Sequence, residues 1–99
     1  MVISVRHIVA GCDTNDEGAQ IYSAIASNLR VGGSAIVSFA GIQNATSSFV
    51  NSAFVELLND MSLDDIKKQV RIVDASRQIR EIIKRRLTAE AEKASLQVA

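Results

Sequence analysis

Three neighbouring hydroxyl side chains are the strongest candidates for chemistry in this sequence. Thr46, Ser47 and Ser48 follow a glycine-containing segment, residues 41–45, and precede an apolar run with helical spacing. We therefore expect the hydroxyls to lie in the first turn of a helix, where backbone N–H groups lack partners within the helix and the local field favours negative charge. A phosphate, or an anionic group of a partner, would meet hydrogen-bond donors there.

The residue types alone also allow a purely structural interpretation of this cluster. One hydroxyl would cap the helix, which contributes about 1 kcal/mol, and the other two would be passive. The wider pattern around the cluster is needed to choose between the two interpretations.

Other residues that could catalyse a reaction are few. His7 lies in an apolar segment that we interpret as a strand, and Cys12 follows it; neither has a second histidine or cysteine with which to form a metal site or a nucleophile pair. We predict no enzyme activity, no metal and no cofactor. A small enzyme that uses Ser47 with His7 is the weakest alternative, because no carboxylate can be assigned to orient the histidine.

Charge is unevenly divided along the chain, although the formal net charge is zero. Residues 1–66 contain two basic and seven acidic side chains, and residues 67–99 contain nine basic and four acidic ones. Nucleic-acid binding is therefore the alternative function, through a basic last helix that carries Arg77, Arg80, Lys84, Arg85 and Arg86. Stacking aromatics are missing from this segment, so solvent-facing charge is the simpler interpretation.

The composition is typical of one globular domain. The 99 residues are 47% hydrophobic and 22% charged, which predicts a single domain over residues 1–99. No apolar run approaches the roughly 20 residues of a membrane span, and the first residues lack the pattern of a leader. One cysteine cannot form an internal disulfide, and we expect a cytoplasmic protein.

Hydrophobic periodicity predicts an α/β fold with the order β-α-β-α-(α)-β-α. The expected sheet has three to four mostly parallel strands and is covered by helices. The predicted strands are residues 2–10, 35–39 and 70–73. The predicted helices follow Thr14, Thr46, Ser62 and Ser76, and the second extends to about residue 60.

Residues 35–58 resemble part of the STAS domain, which bacterial anti-sigma factor antagonists share with the cytoplasmic part of sulfate transporters. In those antagonists, a buried strand and a glycine turn precede an aspartate, a phosphorylated serine and a second serine at a helix start. Here Gly41 matches the glycine. Five residues later, Thr46 falls on the aspartate position, Ser47 on the phosphorylated serine and Ser48 on the second serine.

The closer resemblance is to the STAS-like branch of small bacterial proteins, and two residues depart from the pattern of the classical antagonists. Thr46 replaces the aspartate, and Phe49 replaces the glycine that usually follows the serine pair. In the STAS-like branch, an aromatic residue typically follows the serines, as it does here.

The resemblance implies a non-enzymatic, partner-switching regulator. Its partner would be a histidine-kinase-type ATPase that acts as a serine kinase or anti-sigma factor and holds the nucleotide itself, and Ser47 would be the phosphorylated residue. The partner-binding residues implied are Gly41, Ile42, Asn44, Thr46, Ser47, Ser48 and Asn51.

Overall fold

Three short parallel strands form the centre of the fold. The structure, a computed structural model, describes residues 2–98, with side chains through Lys93. The strands are β1 (Val2–Ser4), β2 (Ala35–Ser38) and β3 (Val70–Val73), and they lie in the order β1-β2-β3. The predicted α/β fold with a parallel sheet is confirmed.

Helices connect and follow these strands. They are α1 (Val5–Ile8), α2 (Asn15–Gly32), α3 (Ser47–Ala53), α4 (Leu63–Gln69) and α5 (Arg77–Val98), with a 3-10 helix at Val55–Asn59. Within the described residues, no helix combines the length and the apolar character that crossing a membrane requires.

The core lies on one face of the sheet. Successive strands are neighbours, so both crossovers step in the same direction. Crossovers between parallel strands are as a rule right-handed, which puts the connecting helices α2, α3 and α4 on the same side. Ile3 and Val37 are aligned between β1 and β2 and are 5% and 0% exposed. Val2, which points to the opposite face, is 54% exposed.

The predicted first strand is wrong beyond Ser4. Instead of an extended segment over residues 2–10, the chain forms β1 and then the single helical turn α1. The N–H of Val9 donates to the carbonyl of Val5 at 3.0 Å, and both side chains are buried, whereas the three residues between them are exposed. An apolar spacing of four residues fits a helical turn, so the sequence pattern was compatible with both structures.

The helix predicted from Thr46 to about residue 60 is interrupted. α3 ends at Ala53, and the 3-10 helix Val55–Asn59 follows. Phe54 and Leu57 are both buried, and no proline or glycine stands at the interruption. We infer that tertiary packing, and not a helix-breaking residue, ends α3 at Ala53.

The predicted helix boundaries with local capping signals are confirmed. Thr14 and Glu17 form a reciprocal capping box at the start of α2, and Gly33 ends that helix in the left-handed region with φ 73°. The hydroxyl of Ser62 accepts a hydrogen bond from the N–H of Asp65 at the start of α4.

Helices α2 and α3 pack closely at Gly18. A Cβ atom built on this glycine would lie 2.5 Å from the carbonyl oxygen of Phe49 and 2.7 Å from the Cβ of Ser52. Glycine therefore permits the contact that fixes α3 against α2.

Candidate functional site

Three phenylalanine rings pack against one another beside the predicted site. The ring of Phe39, just after β2, lies edge-on to that of Phe49 with centroids 6.4 Å apart, and its centroid is 6.3 Å from that of Phe54. All three side chains are fully buried. The end of β2 and the start of α3 therefore share one rigid apolar base.

A tight turn leads from β2 into the loop of residues 41–46, which we call the docking loop. The N–H of Ile42 donates to the carbonyl of Phe39 at 2.9 Å, and Gly41 has φ 82°. Glycine adopts this left-handed conformation without strain. The side chain of Arg6 lies over the turn, because a Cβ built on Gly41 would be 2.6 Å from its Nη1.

Thr46 joins the docking loop to the segment before α2. Its hydroxyl donates to the carbonyl of Asp13 at 2.9 Å and accepts from the N–H of Phe49 at 3.3 Å, and its own N–H donates to the carbonyl of Cys12 at 3.0 Å. The hydroxyl thus caps α3 and binds a second segment at the same time.

Two side chains at the start of α5 also form hydrogen bonds with the docking loop. The Gln78 amide donates to the carbonyl of Ala45 and accepts from its N–H, both at 3.0 Å. The hydroxyl of Ser76 donates to the carbonyl of Gln43 at 2.7 Å. With the Thr46 bonds, these contacts fix the loop to two separate parts of the fold.

A further contact lies at the carboxyl ends of β2 and β3. The hydroxyl of Ser38, the last residue of β2, donates to Asp74 Oδ2 at 3.0 Å and accepts from the N–H of Ala40 at 3.3 Å. Asp74 follows β3 and has φ 55°, a left-handed conformation that aspartate tolerates better than most residues.

Ser47 and Ser48 differ from Thr46 in that another molecule can reach their hydroxyls. Both residues are exposed, and neither side chain makes a hydrogen bond within the part of the chain that the structure describes. α3 has only seven residues, so its terminal field is weaker than the longer predicted helix would supply. The arrangement presents two serine hydroxyls to solvent beside a fixed loop.

The other predicted partner-binding residues are not equally accessible. Gly41 and Asn44 are exposed, and Ile42 is half-buried. Asn51 is half-buried, and its Oδ1 accepts a hydrogen bond from Arg86 Nε at 3.0 Å. Arg86 also pairs with Glu90 at 2.8 Å, so Asn51 belongs to a contact between α3 and α5.

The titratable groups beside Thr46 are not arranged for nucleophilic chemistry. Burial raises the pKa of the Cys12 thiol to about 12, with smaller contributions from the negative charges of Glu17 and Asp13. Hydrogen bonds from the Asp13 N–H and from Thr14 hold the pKa of Glu17 below its usual value. Cys12 therefore stays protonated at neutral pH.

Comparison with known protein families gives a match that covers this site. The family model described as a STAS-like domain of unknown function (DUF4325) matches residues 17–80, about two thirds of the chain. The chain belongs to this STAS-like family. The resemblance predicted from the sequence is thus confirmed, and the match includes the docking loop, Ser47 and Gln78.

Two further comparisons add no relatives to the STAS-like family match. Neither the curated proteins nor the solved structures contain a match.

Within this STAS-like domain, the structure separates the residues of the two alternative functions. His7 is exposed in α1, and no hydrogen bond joins it to Ser47 among the described residues. On α5, Arg77 pairs with Glu81 at 3.0 Å, whereas Arg86 points towards α3. Arg86 therefore points away from Arg80 and Lys84, which lie together beside α4 and β3.

Sequence reasoning missed three contributors to the STAS-like site: Gln78, Asp74 and Arg6. Gln78 meets Ala45 across 33 residues of sequence, and no local pattern marks such a contact. Asp74 carries a weak signal, because aspartate directly after a strand favours a turn. Arg6 was hidden by the interpretation of residues 2–10 as a strand.

Proposed function

We propose that this domain is a regulatory protein-binding module of the anti-sigma factor antagonist type. Its docking surface is the docking loop together with the first turn of α3. The observation that supports this proposal is the contrast between Thr46, whose hydroxyl is used within the fold, and Ser47 and Ser48, whose exposed hydroxyls make no bond within the described part of the chain. A partner can contact such hydroxyls without first breaking internal bonds.

Ser47 is the proposed switch within this surface. It occupies the position that matches the phosphorylated serine of the antagonists. A phosphate adds about −1.5 to −2 charges at pH 7 to a surface that otherwise presents small neutral groups. A partner fitted to the neutral surface would have to desolvate that charge or place a new cation against it, so phosphorylation would release the partner.

The proposed partner is a histidine-kinase-type ATPase that acts as the serine kinase. The STAS resemblance supports this choice, and the ATPase would supply the nucleotide. The same protein would then bind the unmodified domain and phosphorylate it.

Phosphate mapping tests the modification. The domain is incubated with ATP and histidine-kinase-type ATPases from the same organism, and the phosphorylated residue is identified by mass spectrometry. We expect modification of Ser47 and none in S47A. Modification at another residue, or no modification, would contradict the switch.

Binding measurements with charge variants test the docking surface. We expect S47E to weaken binding of the ATPase by about tenfold or more, since a single charge at the centre of an interface commonly has effects of this size. S23E places the same charge on the exposed face of α2 and serves as the matched control. Equal binding by S47E and the wild-type domain would overturn the proposed location.

A further inference from the structure

A groove separate from the docking loop runs between α4 and α5, beside β3. Its volume is about 360 Å³, which is within the range of specific binding sites. Apolar side chains from all three elements line it: Leu63, Ile66, Val70, Ile83 and Leu87. The groove offers an apolar surface to an occupant.

Four cationic side chains line the same groove. They are Lys67, Arg71, Arg80 and Lys84, all exposed, and no aspartate or glutamate among the described residues lines it with them. None of the ion pairs found over residues 2–93 uses any of the four. Arg80 makes one weak bond, from its Nε to the carbonyl of Ala75 at 3.3 Å. The groove therefore combines an apolar floor with uncompensated positive charge.

The open edge of β3 adds backbone hydrogen-bonding groups. β3 is the last strand of the sheet, and the N–H of Phe39 donates to the carbonyl of Val73 on its inner side. Backbone groups alternate in direction along a parallel strand. The backbone N–H and carbonyl oxygen of Val73 therefore face β2, and those of Ile72 face outward. Ile72 also helps to line the groove.

We propose that this groove binds an extended, acidic segment of a protein partner, which adds as a fourth strand to the edge of β3. Ile72 would exchange backbone hydrogen bonds with the segment. Alternate side chains of a strand point to opposite faces, so apolar side chains would enter the groove. The acidic side chains between them would lie on the face of the sheet that carries Arg71, and the cations at the rim of the groove would attract them through space.

Charge and surface type together favour this occupant. A nucleic acid would match the cations but would leave the apolar floor unfilled, and a purely apolar segment would leave the cations without partners. A peptide in which apolar and acidic residues alternate uses both features. The short length of β3, four residues, limits the contact to a segment of similar length.

The groove is distinct from the proposed switch. None of the residues that line the groove belongs to the docking loop or to the first turn of α3. The two surfaces can therefore be tested independently.

A synthetic peptide of alternating glutamate and valine, labelled with a fluorophore and about seven residues long, is a direct probe. We expect it to bind the full chain, with affinity that falls as salt increases, and to protect the Ile72 amide from hydrogen exchange. K84E should weaken this binding by about fivefold to tenfold. K68E, which reverses an exposed charge on α4 outside the groove lining, should leave it within about twofold.

Chemical variants of the peptide distinguish strand addition from simple charge attraction. N-methylation of the central valine removes a backbone donor and should weaken binding, and a lysine-valine peptide should not bind. Binding that is unaffected by K84E or by N-methylation would overturn the proposal. So would equal binding of single-stranded DNA in competition with the peptide. S47E should bind the peptide normally, so failure of the switch and failure of the groove give different results.

Discussion

The side-chain amide of Gln78 bonds both backbone groups of Ala45. Its Nε2 donates to the carbonyl oxygen and its Oε1 accepts from the N–H, each at 3.0 Å. Neighbouring strands exchange bonds in a similar way, but here a side chain on α5 supplies both partners. Ala45 is 4% exposed, so these bonds satisfy backbone groups that water reaches poorly.

Replacing Gln78 with alanine should loosen the docking loop. Q78A leaves the N–H and carbonyl of Ala45 without partners, and we expect the free energy of unfolding to fall by about 1–3 kcal/mol. Hydrogen exchange at the Ala45 amide should accelerate. Q20A, at an exposed position of α2, is the control and should change neither quantity. Unchanged protection of Ala45 in Q78A would contradict the assigned role.

Thr46 should tolerate serine but not aspartate. T46S keeps a hydroxyl that can accept from Phe49 and donate to the Asp13 carbonyl, whereas T46A loses both bonds and should cost about 1–2 kcal/mol. T46D retains a capping acceptor but cannot donate, and it places a carboxylate against the Asp13 carbonyl. In urea denaturation at pH 7, we expect T46D to be less stable than T46S. A T46D domain as stable as T46S would show that donation to Asp13 contributes little.

Two glycines of α2 should respond in opposite ways to alanine. G18A forces a methyl group against the Phe49 carbonyl at 2.5 Å, and overpacking of this kind costs typically about 1–3 kcal/mol. G32A meets nothing within 4 Å and has an ordinary helical conformation, so it should be neutral or slightly stabilising. Thermal denaturation of the two variants gives the comparison, and equal melting temperatures would contradict the tight contact between α2 and α3.

Cys12 should make the domain less stable in alkaline solution. Its pKa is raised from the usual 9.0 to about 12 in the folded state, so the unfolded chain releases the thiol proton first. Stability attributable to this residue is complete below pH 9 and is lost as pH rises from about 9 towards 12. Urea denaturation at pH 8 and pH 10.5 should show a smaller decline for C12A than for the wild-type domain.

A thiol reagent provides a second measurement at Cys12. The buried, protonated thiol should react slowly at pH 8 in the folded domain and rapidly in urea. Fast labelling without denaturant would contradict the burial.

The parts of this fold that were predictable have local causes. Thr14 and Glu17 lie three residues apart and cap each other, so their spacing alone indicated the start of α2. The location of Ser47 at the beginning of α3 followed from the strand, turn and helix pattern around it in the same way.

The unpredicted parts depend on contacts between distant segments. Val5 and Val9 fit a strand or a helical turn equally well, and the burial of both side chains in the assembled core selects the turn. The contact of Gln78 with Ala45 exists only after α5 has packed beside the loop. No helix-breaking residue marks the break after Ala53, so the local sequence does not indicate it.

The bonds made by Thr46, Ser76 and Gln78 affect the thermodynamics of recognition. Ordering a residue's backbone costs about 1–2 kcal/mol, and a segment that becomes ordered only on association incurs that cost when it binds. Here folding itself has already ordered the loop, so association should lose little backbone entropy. We expect its rate to depend on diffusion and orientation, with no slow step in which the loop must rearrange.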